Sequence, residues 1–287
     1  MTRDPALIDA LFARYGVSGP WETLPSTGVA NRVYATRDVV LRVATEHRDA
    51  VSDARTEAVA APVAYATGIL TPRLIAFDDT RVLIDRPFSL WERVHGQTLG
   101  LINPQQRRRG EIWRAVGREL ARLHLRVREC PDPRGWLDSP TREQDLGTLL
   151  ERLVKSRRTD ENTARSVERL IDRLRPHLME GVTTRFIHGD VHSMNVMCTP
   201  DGELLAIIDW GDAGWGDPAM DFAAIPLDEV SSVLEAYEEE APGTLAGFPE
   251  ARFAWDRLLD IMDDLWHAPE RALEVDALQQ FVHARMG

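Results

Sequence analysis

The stretch from Arg185 to Phe222 constrains this chain more than any other. It holds two apolar runs, Val196-Met197-Cys198 and Leu204 to Ile208, separated by Pro200-Asp201-Gly202. Proline and glycine around an aspartate are turn chemistry, so the runs predict two short strands folded into a hairpin. A hairpin brings the residue before its first strand back towards the residue after its second. Asn195 and Asp209 hold those places, and Phe186-Ile187 predicts a short buried strand that delivers His188-Gly189-Asp190 to a loop. Asp190, Asn195 and Asp209 are therefore expected to converge at one end of a small sheet. Two carboxylates and an amide are hard oxygen ligands suited to Mg²⁺, with one group able to take or orient a hydroxyl proton.

The rest of the chain supplies a frame. Leu7, Ile8, Leu11 and Phe12 recur at helical spacing in Asp4 to Tyr15, which Gly16 ends. Ser26-Thr27-Gly28 lies between strand-like Trp21 to Leu24 and Arg32 to Thr36, a turn whose backbone N–H groups suit phosphate. In Val39 to Val43, period two sets Val39, Leu41 and Val43 on one face and Val40 and Arg42 on the other. Asp49 to Thr67 reads as an alanine-rich helix stopped by Gly68, and Arg73 to Phe77 with Arg81 to Asp85 as a hairpin across Asp78-Asp79. Further helices are expected over Pro104 to Val127 (core positions Ile112, Val116, Leu120 and Leu123), Arg142 to Ser156, Asn162 to Leu178, Asp228 to Glu240, Ala251 to His267 and Glu270 to Ala284.

Charge and composition narrow the classes. The formal net charge is −12, which argues against a nucleic-acid partner and suits a cationic small molecule. Met1 to Pro5 does not open like a secretory signal, and no apolar run has the length of a membrane span. Cys130 and Cys198 lie far apart without metal-type spacing and read as reduced thiols of a cytoplasmic protein. Asp256, Asp260 and Asp264 follow an i, i+4 pattern with Asp263 beside them, which stacks carboxylates on one helical face.

The spacing of Asp190, Asn195 and Asp209 resembles the catalytic centre of protein-kinase-like phosphotransferases. His188-Gly189-Asp190, Ile208-Asp209-Trp210, Gly216-Asp217-Pro218 and Asp221-Phe222 are similar to the aminoglycoside phosphotransferase family, as is Leu120-Ala121-Arg122-Leu123-His124. The resemblance implies a protein-kinase-like two-lobe α/β (α+β) fold. A sheet-based nucleotide lobe would span residues 1–94 and a mainly helical catalytic and acceptor lobe 95–287. It implies transfer of the terminal phosphate of ATP or GTP, with Mg²⁺, to a hydroxyl of a small molecule. Asp190 would be the catalytic base, with Asn195 and Asp209 the metal ligands. Gly28, Val40, Arg42 and Glu57 would serve the nucleotide, the last as the ion-pair partner of Arg42, with Asp53 one turn earlier as the alternative. Arg42 stands where the family has a phosphate-binding Lys. Phe88 to Gly96 would be the hinge, offering the Glu92 carbonyl and the Val94 N–H to adenine. His188 and His124 would be packing residues, and Asp217 and Asp221 structural supports. Trp136, Asp138 and Asp145 are candidate acceptor contacts, and Asp256, Asp260, Asp263 and Asp264 would wall a cationic acceptor.

The acceptor expected on these grounds is a cationic antibiotic, an aminoglycoside or a viomycin/capreomycin-type peptide, handled by a monomer that confers resistance. Macrolides and metabolic alcohols are the alternatives. Few residues separate Asp209 from Asp217-Pro218, too few for a peptide-gripping segment. Two other classes compete. One is a metal-dependent hydrolase in which His188, Asp190, His192 and Asp209 hold zinc. The other is a catalytically silent nucleotide-binding module.

Overall fold

The computed structural model describes residues 4–25, 28–102, 106–137, 139–142, 145–266, 268 and 271–286. The chain divides into two compact units. The first comprises residues 1–112, 126–138 and 188–214, and the second residues 113–125, 139–187 and 215–287. Segment 188–214 thus belongs with the N-terminal residues.

In the first unit, helix α1 (Pro5–Arg14) begins where the Asp4 side chain accepts the Ala6 N–H. Strands β1 (Glu22–Leu24), β2 (Asn31–Ala35), β3 (Val39–Ala44), β4 (Leu74–Asp78) and β5 (Phe88–Glu92) form one antiparallel sheet in the order β1-β2-β3-β5-β4. Ile8, Leu11 and Phe12 of α1 close its core with Tyr34, Leu41, Val43, Phe88 and Leu90. The alternation read in β3 holds: Leu41 and Val43 are buried in that core, and Val40 and Arg42 face a cleft. Helix α2 (Ala50–Ala66) turns Ala50, Ala54, Ala60, Ala61 and Ala64 inward, small side chains that permit close backbone approach. It ends at Gly68, whose φ of +83° suits glycine.

One strand expectation fails. β4 pairs with β5, not with 81–85, which forms no strand. The Asp78 carboxylate accepts the Thr80 N–H, Arg81 adopts φ +59°, and Val82 is 83% exposed. Local turn chemistry bends the chain before any pairing forms.

The hairpin appears as expected. β8 (Val196–Cys198) pairs antiparallel with β9 (Leu204–Ile207), and β6 (Gln97–Thr98) adds to β8. Gly202 turns the corner at φ +88°, with its N–H on the Thr199 carbonyl.

The second unit is mainly helical. Residues 113–125 of α3 (Gln106–Arg126) bury Trp113, Val116, Leu120 and Leu123. α4 (Leu146–Lys155), α5 (Glu161–Leu174), α6 (Val230–Glu240), α7 (Pro249–Asp264) and α8 (Ala272–Met286) complete it, with α7 packed on α4, α5 and α8. Asp160 caps α5 through the Asn162 and Thr163 N–H groups. β7 (Arg185–Ile187) pairs with β10 (Gly214–Gly216). Pro104, Asp138, His267 and Glu270, named in the sequence reading, lie outside the described residues. Among the described residues, no helix is long and apolar enough to cross a membrane.

Candidate active site

The first unit carries a cleft of about 860 Å³. Gly28, Val40, Arg42, Glu57, Glu92, Val94, Asn195 and Asp209 all line it, so the sheet, the 92–94 segment and the β8–β9 hairpin face one space. Ser26 and Thr27 of the expected phosphate turn lie outside the described residues. The Glu92 N–H is taken by the Arg73 carbonyl at 2.9 Å, which fixes where β5 leaves the sheet.

At the inner end, Arg42 reaches two carboxylates at once. Its Nη1 pairs with Glu57, and its Nη2 donates to Asp209 Oδ1 at 2.8 Å. Of the two acids one turn apart on α2, Glu57 is therefore the partner. Burial opposes the Arg42 charge, but Glu57 and Asp209 outweigh it and hold its pKa above the ordinary guanidinium value. Burial pushes the Glu57 carboxyl up to about 7, against the pull of Arg42 and of the Trp210 N–H that donates to it. Arg42 holds Asp209 below the usual carboxylate range, with burial working the other way, so Asp209 is a carboxylate at neutral pH. Asp53 sits instead beside Gly211, where an added Cβ would lie 2.8 Å from the Asp53 Cβ. Its own burial, then Asp49 and Asp209, push Asp53 up to about 6.

The loop ahead of the hairpin brings in the third group. The Asn195 amide donates to the Asp190 carbonyl at 2.9 Å and to Asp190 Oδ2 at 3.0 Å. Ile208 N–H donates to the Asn195 carbonyl at 2.9 Å, tying the residue before Asp209 to the residue before β8. His188 is fully buried and bonded to backbone on both sides. Its Nδ1 accepts the Asp190 N–H at 3.3 Å and its Nε2 donates to the Ile208 carbonyl at 3.1 Å, so the neutral Nε2–H tautomer satisfies both contacts. Gly189 adopts φ +89°, and an added Cβ would meet the Asp212 carbonyl at 2.3 Å, so only glycine fits. His192 Nε2 lies 3.3 Å from Asp190 Oδ2, and that contact raises the His192 pKa against burial.

The zinc reading does not fit this geometry. Among the described residues, no three His, Cys, Asp or Glu side chains gather as a ligand set, and both His188 nitrogens are committed to backbone. The donor set suits Mg²⁺ better. Because the Asn195 nitrogen faces two acceptors on Asp190, its amide oxygen points elsewhere, and Asp209 is charged and 47% exposed.

The other candidate residues fall in the second unit, apart from Trp136 in the first. Asp217 caps the turn at Pro218–Phe222 through the Ala219 N–H and pairs with Arg142 and Arg252 at 2.9 and 2.8 Å. Asp221 contacts His124 Nε2 at 2.9 Å, and Tyr237 Oη lies 2.8 Å from the other ring nitrogen. Asp256 is no acceptor wall: it is buried, and Arg142 engages both its oxygens at 2.8 and 2.7 Å. Asp264 pairs with Arg271, leaving Asp260 and Asp263 as the exposed members of the expected acidic face. The face looked continuous because i, i+4 spacing says nothing of arginines brought in from elsewhere. Asp145 accepts the Thr148 N–H as the cap of α4, and Trp136 is covered by the Arg55 and Arg134 guanidinium groups. Both therefore have structural partners of their own. Arg142, Arg252, Thr71 and Trp210 carry much of this architecture, and no local sequence signal marks their partners.

The model of the phosphotransferase enzyme family matches residues 21–261 of this chain. No curated protein matches it significantly. Among solved structures, a choline/ethanolamine kinase family protein from Mesorhizobium loti is 21% identical over 100% of both chains, with a TM-score of 0.68. The GDP complex of wild-type aminoglycoside 2′-phosphotransferase-IIIa is 17% identical, covering 96% of this chain and 95% of that one, with a TM-score of 0.69. Macrolide 2′-phosphotransferase type I is 19% identical over 98% and 97%, with a TM-score of 0.60. At such identities the likeness is one of fold, and the expected protein-kinase-like α+β class is met.

Proposed function

Since the chain belongs to the phosphotransferase enzyme family, we propose that it moves the terminal phosphoryl group of ATP or GTP onto a hydroxyl of a small molecule. The observation that carries this reading is that Asn195, which donates to the Asp190 carboxylate, lines the same cleft as Arg42, Glu57 and Asp209, with Arg42 joining the two carboxylates. The acceptor oxygen would bond to the terminal phosphorus as the bridging P–O bond breaks, and the hydroxyl proton would pass to the Asp190 carboxylate. Arg42 would bind phosphate oxygens, while Val40 and the 92–94 backbone would seat the base. Asp209 and the Asn195 amide oxygen would hold Mg²⁺. A magnesium ion bound there supplies charge neutralisation on the phosphates. Most of the rate enhancement would come from positioning and fixed charge.

The acceptor we favour is cationic, an antibiotic of the aminoglycoside or viomycin/capreomycin type, phosphorylated by a cytoplasmic monomer to give resistance. Support comes from the net charge of −12 and from Asp49, Asp53 and Asp212, which line the cleft with Asp209. Of the α7 carboxylates, Asp256 is buried against Arg142 and Asp264 pairs with Arg271, so Asp260 and Asp263 would be the ones to meet such an acceptor. A panel of cationic antibiotics, macrolides and metabolic alcohols, scored for consumption of ATP and of GTP separately, tests the reading. Turnover confined to neutral acceptors would reject the cationic part. Nucleotide binding without turnover on a broad panel would favour the silent module instead.

A further inference from the structure

Asp209 adopts a left-handed backbone, φ +69°, a region that residues with a Cβ seldom occupy and that aspartate enters more readily than most. Its neighbour Trp210 is the part that is held. The Trp210 N–H donates to Glu57, and its indole Nε1–H donates to Thr71 Oγ1 at 2.9 Å. The ring is 1% exposed and lies against His188, with centroids 4.5 Å apart. Thr71 is buried and precedes Pro72, which restricts its backbone to extended conformations, while its branched side chain restricts χ1. The hydroxyl is thus presented in a fixed direction. One residue further back, Leu70 accepts the Ile207 N–H at 2.8 Å, so the 70–71 segment grips the chain on both sides of Asp209.

We propose that Thr71 is a positioning residue that acts through the Trp210 indole to hold Asp209 in its left-handed, cleft-lining conformation. This rests on the phosphotransferase reading of the cleft. Without the Thr71 oxygen, the indole N–H is buried and unpartnered. The ring then shifts, and Asp209 relaxes towards ordinary backbone angles.

The test is Mg²⁺-dependent nucleotide binding measured by calorimetry on the full chain, for the parent, Thr71→Val, Thr71→Ser and Trp210→Phe. Thr71→Val keeps the side-chain shape and removes the acceptor. It should raise the Mg²⁺ concentration for half-maximal enhancement about 10-fold, the scale of one buried unpaired donor, with metal-free nucleotide affinity unchanged. Thr71→Ser should restore the parent value. Trp210→Phe removes the same bond from the other side and serves if Thr71→Val does not fold. Its shift should be in the same direction, and the double variant should shift no further than the larger single one. An unchanged Mg²⁺ requirement in Thr71→Val or Trp210→Phe, or effects that multiply in the double variant, would overturn the role of Thr71. A parent protein that binds no nucleotide with Mg²⁺ would instead remove the phosphotransferase reading, and this inference with it.

Discussion

The Asn195 amide nitrogen lies 3.0 Å from the Asp190 carboxylate, so the proposed metal ligand also orients the proposed base. Asn195 is buried while Asp190 keeps an exposed edge, the arrangement expected when one side chain steadies another that must meet a substrate. Asp190→Ala should therefore lower turnover by roughly 10²–10⁴-fold, the usual contribution of a positioned general base. Nucleotide affinity should change little, since Asn195 keeps its bond to the Asp190 backbone carbonyl when the carboxylate is removed. Steady-state kinetics with a direct nucleotide-binding measurement would decide it, and near-parental turnover would remove Asp190 from the role.

Arg42→Lys should behave as a severe change. The guanidinium reaches Glu57 with one nitrogen and Asp209 with another, whereas an ammonium group is a single point charge. Losing one charge-assisted hydrogen bond, about 1.5–3 kcal/mol, corresponds to roughly 10- to 100-fold in nucleotide affinity. Isothermal titration of the lysine variant checks this, and parental affinity would show that the double contact is dispensable.

Asp256→Ala should lower Tm while leaving the acceptor KM near its parental value. Breaking a buried ion pair by removing one partner costs about 3–5 kcal/mol, and Asp256 is the bidentate partner of Arg142. The Arg142 guanidinium would also lose part of its hold on the segment before α4. Should the KM rise with no change in Tm, Asp256 belongs to the acceptor site after all.

Stability should fall as pH rises through the neutral range. Glu57 is pushed up to about 7, and Asp53 and Asp256 to about 6, in each case first by burial. His192 is raised by its contact with Asp190. Each group has a folded pKa above its unfolded value, so the folded chain holds protons that the unfolded chain has released. The carboxyl contributions are fully present below about pH 4, where unfolded carboxyls titrate, and are lost as pH passes 6 to 7. Groups lowered by their partners, such as Asp209, act at more acid pH and do not offset this window. Thermal melts at constant ionic strength should give a higher Tm at pH 5.5 than at pH 8, and the reverse slope would contradict these shifts.

What the amino-acid order determined was local. The apolar runs around Pro200-Asp201-Gly202 require a hairpin, and the hairpin brings Asn195 beside the residue before Asp209. Period two in 39–43 sends Arg42 to the cleft, and alanine content with Gly68 defines α2, because each depends on backbone preferences and burial patterns within a few residues. Only the tertiary structure decided which acid Arg42 meets. Asp53 and Glu57 share a helical face one turn apart, and the choice follows from where β3 lies against α2. Likewise, Arg142 crosses 114 residues of sequence to reach Asp256, and Thr71 crosses 139 to reach Trp210. Charge pairing and buried hydrogen bonds act over a few ångströms of space. Sequence spacing beyond one turn or one strand carries no record of which groups will stand that close.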